Sequence, residues 1–166
     1  MAATAAARYK KLKTQLAAAK REMKKTAKTT FKEQAAVVFT KNPEIVSFSW
    51  AQYTPYWNDG DTCTFSANTE YPTLTFKAKD GKVVKYDENM GELTEVGTAV
   101  MEDDVELAED QQLDTEAYDK EYKKYSKAVI NFLQGFEEDD LETMFGDHVE
   151  ITVTPKKVTV DDYEHE

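Results

Sequence analysis

Several residue types that often define a protein's chemistry are scarce in this chain of 166 residues. It has one cysteine, two histidines, four prolines and six glycines. The single cysteine, Cys63, excludes an internal disulfide framework and a cysteine-based zinc site. The glycines are dispersed, so the sequence contains no glycine-rich loop of the kind that cradles phosphate groups.

Long apolar runs are absent as well. No stretch approaches the roughly 18 consecutive apolar residues that predict a membrane-spanning helix. The opening residues, MAATAAARYK, do not form the apolar core of a secretion signal. We therefore expect a cytoplasmic protein with no membrane partner. Its 40% hydrophobic content, with 8 Phe, 9 Tyr and 2 Trp, is enough to build the core of one domain.

Basic and acidic side chains occupy separate parts of the chain. Residues 1–41 carry 11 basic and two acidic side chains, a net charge of +9, whereas residues 42–166 carry 10 basic and 30 acidic ones, a net charge of −20. This asymmetry predicts a basic amphipathic helix over residues 1–41, either within the same domain or as a projecting arm, and an acidic α+β domain over residues 42–166.

The spacing of apolar residues predicts a long helix over residues 4–39. Its apolar row consists of Tyr9, Leu12, Leu16, Ala19, Met23, Ala27, Phe31, Ala35 and Val38. A heptad pattern in the first half stops at Thr30 and Glu33, which argues against a long coiled coil. We expect the first half to project or pair weakly, and residues 31–39 to dock on the rest of the protein.

Alternating apolar residues then predict an antiparallel β-meander over residues 45–87. Val46, Phe48 and Trp50 share one predicted buried face, and further strands are expected around residues 63–65, 74–78 and 83–86. Asp80-Gly81 predicts a tight hairpin turn. The acid-rich residues 87–112 are predicted to form a loop with short irregular elements.

The last third of the chain predicts two helices and a hairpin. A helix begins at Asp114 or Thr115 and ends near Gly135, a short one covers residues 137–145, and strands follow at residues 149–153 and 158–160. The acidic tail, residues 161–166, is expected to fray. The fold class is α+β: a long N-terminal helix, an antiparallel β-meander, then helices and a short C-terminal β-hairpin packed on the sheet.

Residues 50–65, WAQYTPYWNDGDTCTF, are the most distinctive stretch. Thr54-Pro55 opens a loop, and Gly60 can adopt the positive φ that its return requires. Because aromatic side chains dominate binding hot spots, we predict a partner-binding site here, formed by Trp50, Tyr53, Tyr56, Trp57, Asn58, Asp59 and Asp61. In the alternative interpretation these rings fill the core and stiffen the hairpin.

The same stretch resembles the pattern W-x-Q-Y-x-P-Y-[FW]-N-D-G-[DE]-x-C-x-F of an uncharacterised family of phage and bacterial proteins. A second similarity covers Gly146-Asp147-His148-Val149-Glu150 and the closing Tyr163-Glu164-His165. No function is attached to that family. The resemblance implies a phage or prophage origin, and therefore a location in the cytoplasm of the host cell.

Signals for catalysis or metal binding are weak. His148 and His165 are isolated from each other in sequence, and Cys63 is expected to be a buried, inert thiol on the same side as Phe65. Asn58, Asp59 and Asp61 offer oxygen ligands, but their spacing does not match a calcium loop. We predict no catalytic residue, no metal and no cofactor, and keep a small enzyme of unrecognised type as the third alternative.

Binding is therefore the predicted function, with a protein partner that is either a host factor or a second copy of this chain. The runner-up is a nucleic-acid-binding accessory protein that uses a cationic face of the first helix, formed by Lys10, Lys13, Lys20, Arg21, Lys24 and Lys28. Two other interpretations stay open. The helix could neutralise the acidic body of its own chain, or the acidic runs at residues 102–104 and 137–140 could imitate nucleic-acid phosphates.

Overall fold

The computed structural model describes residues 4–57, 59–87, 92–96 and 115–164. The elements in chain order are α1 (Ala5–Lys41), β1 (Ile45–Tyr53), β2 (Ser66–Ala67), β3 (Thr73–Lys77), β4 (Val83–Asp87), β5 (Glu92–Val96), α2 (Thr115–Leu133), α3 (Glu138–Phe145), β6 (Val149–Val153) and β7 (Val158–Asp162). The predicted α+β class, with its long first helix, antiparallel sheet, later helices and C-terminal hairpin, is confirmed.

All strand pairs are antiparallel, in the order β5-β4-β3-β1-β6-β7, and β2 pairs with the end of β1. The C-terminal hairpin therefore extends the sheet, because β6 bonds to β1 along Phe48 to Gln52. Gly81, with φ 89°, lies in the turn between β3 and β4, as the Asp80-Gly81 pair predicts. No helix in the described part of the chain is long and apolar enough to cross a membrane.

The core lies between one face of the sheet and the three helices. Phe31 of α1 is its centre, with ring centroids 5.0–6.0 Å from four other aromatic rings: Trp50, Phe132, Phe136 and Phe145. Aromatic rings at such distances add to the free energy gained by burying their surface. The central strand β1 is thereby fixed between helices on one face and strands on both edges.

Only the second half of α1 takes part in this core. Phe31, Ala35 and Phe39 are buried, whereas residues 4–26 are exposed. The helix begins where the Thr4 side chain accepts a hydrogen bond from the Ala7 amide, and it ends at Lys41, two residues before Pro43. Residues 5–26 are called the arm below.

Several sequence-based predictions are wrong in detail. The strand expected around Cys63 and Phe65 is instead the two-residue β2 at Ser66–Ala67, and Cys63 is half-buried outside any strand. Strand β5 lies within the region predicted as a loop, of which residues 88–91 and 97–112 fall outside the described part. Asp161 and Asp162 belong to β7 rather than to a frayed tail.

The start of β1 also differs from the simple alternation. Ile45 is buried and Val46 is only half-buried, because the pairing with β3 shifts between Ile45 and Ser47. Such a bulge moves one residue to the opposite face of the sheet. Phe48 and Trp50, beyond the bulge, lie on the buried face as predicted.

Candidate partner-binding site

A short loop after β1 presents two aromatic side chains to solvent. Tyr56 is 69% exposed and Trp57 is 75% exposed, the two highest values among the large apolar side chains described after α1. The Trp57 indole N–H donates to Asp59 Oδ1 at 3.2 Å, so the ring has a partner within its own loop. Both rings therefore lie at the surface of the protein.

Asp147, which follows α3, holds the base of this loop. Its Oδ1 accepts hydrogen bonds from the backbone amides of Thr54, at 2.7 Å, and His148, at 2.9 Å. Burial alone would raise the pKa of the Asp147 carboxyl, but hydrogen bonds from Thr54 and the His148 amide outweigh it, so the pKa is lowered. The negative charge of Asp147 therefore helps to fix where the loop leaves the sheet.

The His148 side chain packs against this loop. Its ring is stacked on Tyr56, with centroids 4.7 Å apart and planes 13° apart, and its Nε2 lies 3.7 Å from Asp147 Oδ2. His148 has φ 55°, a left-handed conformation that is uncommon outside glycine and that concentrates at functional sites. Stacking on a ring held in this way restricts the orientations of Tyr56.

The closing residues of the described chain complete the cluster. The Tyr163 amide donates to the His148 carbonyl at 2.9 Å, and the Tyr163 ring stacks on Tyr53 with centroids 5.5 Å apart. Three segments distant in sequence, at residues 53–57, 147–148 and 163, therefore meet at one end of β1. They include parts of all three stretches that carry the resemblance described above.

The predicted site residues do not all belong to this surface. Trp50 is only 3% exposed and packs against Phe31, Phe48 and Phe145, so its inclusion in a contact surface is wrong. It falls on the helix-covered face of β1, two residues from Phe48. Tyr53, on the opposite face, is half-buried beside Tyr163.

The polar members of the predicted site follow in the loop. Asp59 and Asp61 are exposed, whereas Asn58 lies outside the described residues. Gly60 has φ 91°, as its turn requires. Within the described ranges, no group of three or more His, Cys, Asp or Glu side chains is placed to hold a metal ion.

The basic residues proposed for nucleic-acid binding divide into two sets. Lys10, Lys13, Lys20, Arg21 and Lys24 are exposed on the arm. Lys28 differs, because it is half-buried and its Nζ lies 6.0 Å from the centroid of the Phe145 ring. Its pKa is lowered by burial and by the charges of Lys24 and Lys32.

Sequence reasoning missed the buried amide that joins the site to the core. Gln52, fully buried, donates through Nε2 to the carbonyls of Leu141, at 3.2 Å, and Gly146, at 2.6 Å. Its Oε1 accepts from the Trp50 indole N–H at 3.1 Å. The sequence signal for it was that Gln52 follows Phe48 and Trp50 on the apolar face of the predicted strand. A polar group on such a face needs hydrogen-bond partners.

No family model matches this chain, and no curated protein or solved structure matches it either. The site must therefore be interpreted from its own geometry.

Proposed function

We propose that this chain acts by protein–protein binding, with the ring pair Tyr56 and Trp57 as its principal contact. The proposal rests on one observation, two neighbouring aromatic side chains that are mostly exposed on a loop whose base is fixed. Exposed aromatic residues are the commonest anchors of binding energy. A loop that is ordered before binding also loses less conformational entropy on association.

The contacts that hold the loop in place favour a binding role for the exposed rings over a role in stiffening the hairpin. Pro55 and Gly60 supply the turn, and Asp147 and His148 tie the loop to the end of α3 and the start of β6. None of these supports requires Trp57, whose ring extends into solvent. Apart from its bond to Asp59, the Trp57 ring leaves most of its apolar surface uncovered beside Tyr56, and such a pair of exposed aromatic rings suits an external partner.

The resemblance to phage proteins indicates which kind of partner to seek. We propose a small phage-type protein, located in the host cytoplasm, that modulates or inhibits a host factor. Asp147 and His148 lie beside one another in this cluster. The proposed binding role does not require a chemical reaction at either side chain.

Capture from lysate of a bacterial host tests the proposal. Tagged full-length chain is compared with Tyr56→Ala, Trp57→Ala and the matched control Tyr71→Ala, which removes another tyrosine ring that is 50% exposed. We expect one host protein to be retained by the wild type and the control and lost by both loop variants. For the purified pair, each loop substitution should weaken affinity by about 30-fold or more, which corresponds to about 2 kcal/mol.

Melting temperature and circular dichroism must be unchanged in the loop variants for the comparison to hold. If either loop substitution unfolds the domain, its ring is a core residue and the proposed site is wrong. If both variants retain the host protein with wild-type affinity, the contact lies elsewhere on the surface.

A further inference from the structure

The arm has an apolar row that no other described part of the chain covers. Tyr9, Leu12, Leu16 and Met23 are 55–69% exposed, and their spacing of three, four and seven residues places them along one side of α1. A continuous apolar row in water marks an interaction surface. The arm extends over about 33 Å at a rise of about 1.5 Å per residue, so its tip lies far from the core around Phe31.

The cations of the arm form no ion pair with the body among the residues that the structure describes. The arm carries eight basic residues and one acid, Glu22, which gives a net charge of +7. Within the described ranges, no ion pair joins an arm cation to an acid of the body. Among the described residues, no contact therefore supports the interpretation in which the first helix neutralises its own acidic body, because the arm lies in solvent there.

The body of a second copy supplies the complementary charge. Residues 42–166 carry a net charge of −20, and several of their exposed acids lie on α3 and β7. They include Glu138, Asp139, Asp140, Asp161 and Asp162. Opposite charge of this size favours encounter between an arm and the body of another molecule.

Two alternatives fit the same surface less well. A coiled coil of two arms would bring together two helices of net charge +7, and a parallel register would place Arg8 of one beside Lys13 of the other. A nucleic acid would match the cations but would leave the row around Leu12 and Leu16 without a partner. The row is instead suited to a protein surface, where it can be buried.

We infer that the arm of each copy docks on the acidic body of a second copy, so that reciprocal docking closes a symmetric dimer. The apolar row is buried in this contact, and the flanking lysines approach the acids of the partner copy. Because the attraction is between exposed charges, the dimer should weaken as salt rises.

Sedimentation velocity on the full chain tests this inference. We expect a dimer at about 50 mM NaCl and a dissociation constant at least roughly 10-fold higher at about 500 mM NaCl. Lys13→Glu/Lys20→Glu and Leu12→Ser/Leu16→Ser should each give a monomer at low salt, with unchanged near-UV circular dichroism because all four side chains are exposed. The matched control Lys120→Glu/Lys127→Glu, on exposed positions of α2, should still dimerise.

A zero-length carbodiimide cross-linker, applied to an equimolar mixture of ¹⁴N and ¹⁵N chains, identifies the surfaces in contact. We expect mixed-isotope peptides that join arm lysines to acids of residues 42–166. A monomer at low salt would overturn the inference. A dimer that forms equally well with both arm variants would also overturn it, as would a dimer whose arm is cross-linked only through Glu22. A monomer that shifts an oligonucleotide through the same lysines would overturn it in favour of nucleic-acid binding.

Discussion

At the scale of single residues, the site depends on the buried amide of Gln52 and the exposed carboxylate of Asp147. The Gln52 amide connects β1 with α3, and one carboxylate oxygen of Asp147 accepts hydrogen bonds from two backbone amides. A buried polar group left without a partner costs about 1–3 kcal/mol, so the bonds of Gln52 also specify how β1 and α3 are arranged. These two side chains therefore help to position the loop that carries the exposed rings.

The carboxylate of Asp147 should make part of the stability depend on pH. Its folded-state pKa is held below the ordinary value of 3.8, so its contribution is fully present above that value and is lost as pH falls through the folded-state pKa. We expect Asp147→Asn to lower the free energy of unfolding at pH 7. The difference from the wild type should shrink below the ordinary carboxyl pKa.

Urea unfolding at neutral and acidic pH measures this difference. Asp61→Asn is the control, since it removes an exposed carboxylate from the same loop that receives neither the Thr54 nor the His148 bond. Identical pH profiles for Asp147→Asn and the wild type would show that the carboxylate does not stabilise the fold.

At the scale of elements, α1 is one helix with two environments. Residues 31–39 provide three buried side chains to the core, whereas the arm provides none. The first turn of a helix is costly to form, and in proteins most helical stability comes from tertiary packing. The docked half can supply a helical nucleus from which the alanine- and lysine-rich arm continues, because such residues have high helix propensity.

Substitutions in the two halves of α1 should differ in their effect on the free energy of unfolding. Phe31→Ala removes a ring that is 1% exposed and should cost about 3–5 kcal/mol in the free energy of unfolding. Leu16→Ala, on the arm, should change it by less than about 0.5 kcal/mol. Urea unfolding measures both variants at high salt, where contacts between copies are weakened. A similar loss in the free energy of unfolding for both variants would place Leu16 in an intramolecular core.

The elements differ in how well sequence predicts them. Helix α1 and strand β6 follow from strong periodicity, and the residues around Phe31 were correctly expected to dock. Strand β2 could not be found, because Ser66 and Ala67 are too few to show an alternation and are placed by Glu138, which accepts from the Ala67 amide and the Ser66 hydroxyl. The convergence of Tyr56, Asp147 and Tyr163 depends on strand pairing between distant segments, which a local pattern does not contain.

At the scale of the whole molecule, opposite charges are held apart by a continuous helix. Residues 5–26, of net charge +7, lie in solvent, and no ion pair within the described ranges links them to residues 42–166, of net charge −20. This separation keeps two surfaces available at once, the ring pair on the body and the apolar, cationic row on the arm. The two proposed contacts, with a partner through the loop and with a second copy through the arm, therefore use different surfaces of the chain.

Removal of the arm should leave the body folded. Deleting residues 2–25 removes eight basic residues and one acid, so the net charge changes from −11 to −18. Because the deleted side chains contribute nothing to the core, we expect the unfolding midpoint at high salt to shift by only a few degrees and near-UV circular dichroism to persist. Far-UV helical signal should fall, since most of the arm is lost, and host-protein capture through Tyr56 and Trp57 should be retained. A truncated chain that loses its near-UV signal at high salt would instead show that the arm is required to fold the body.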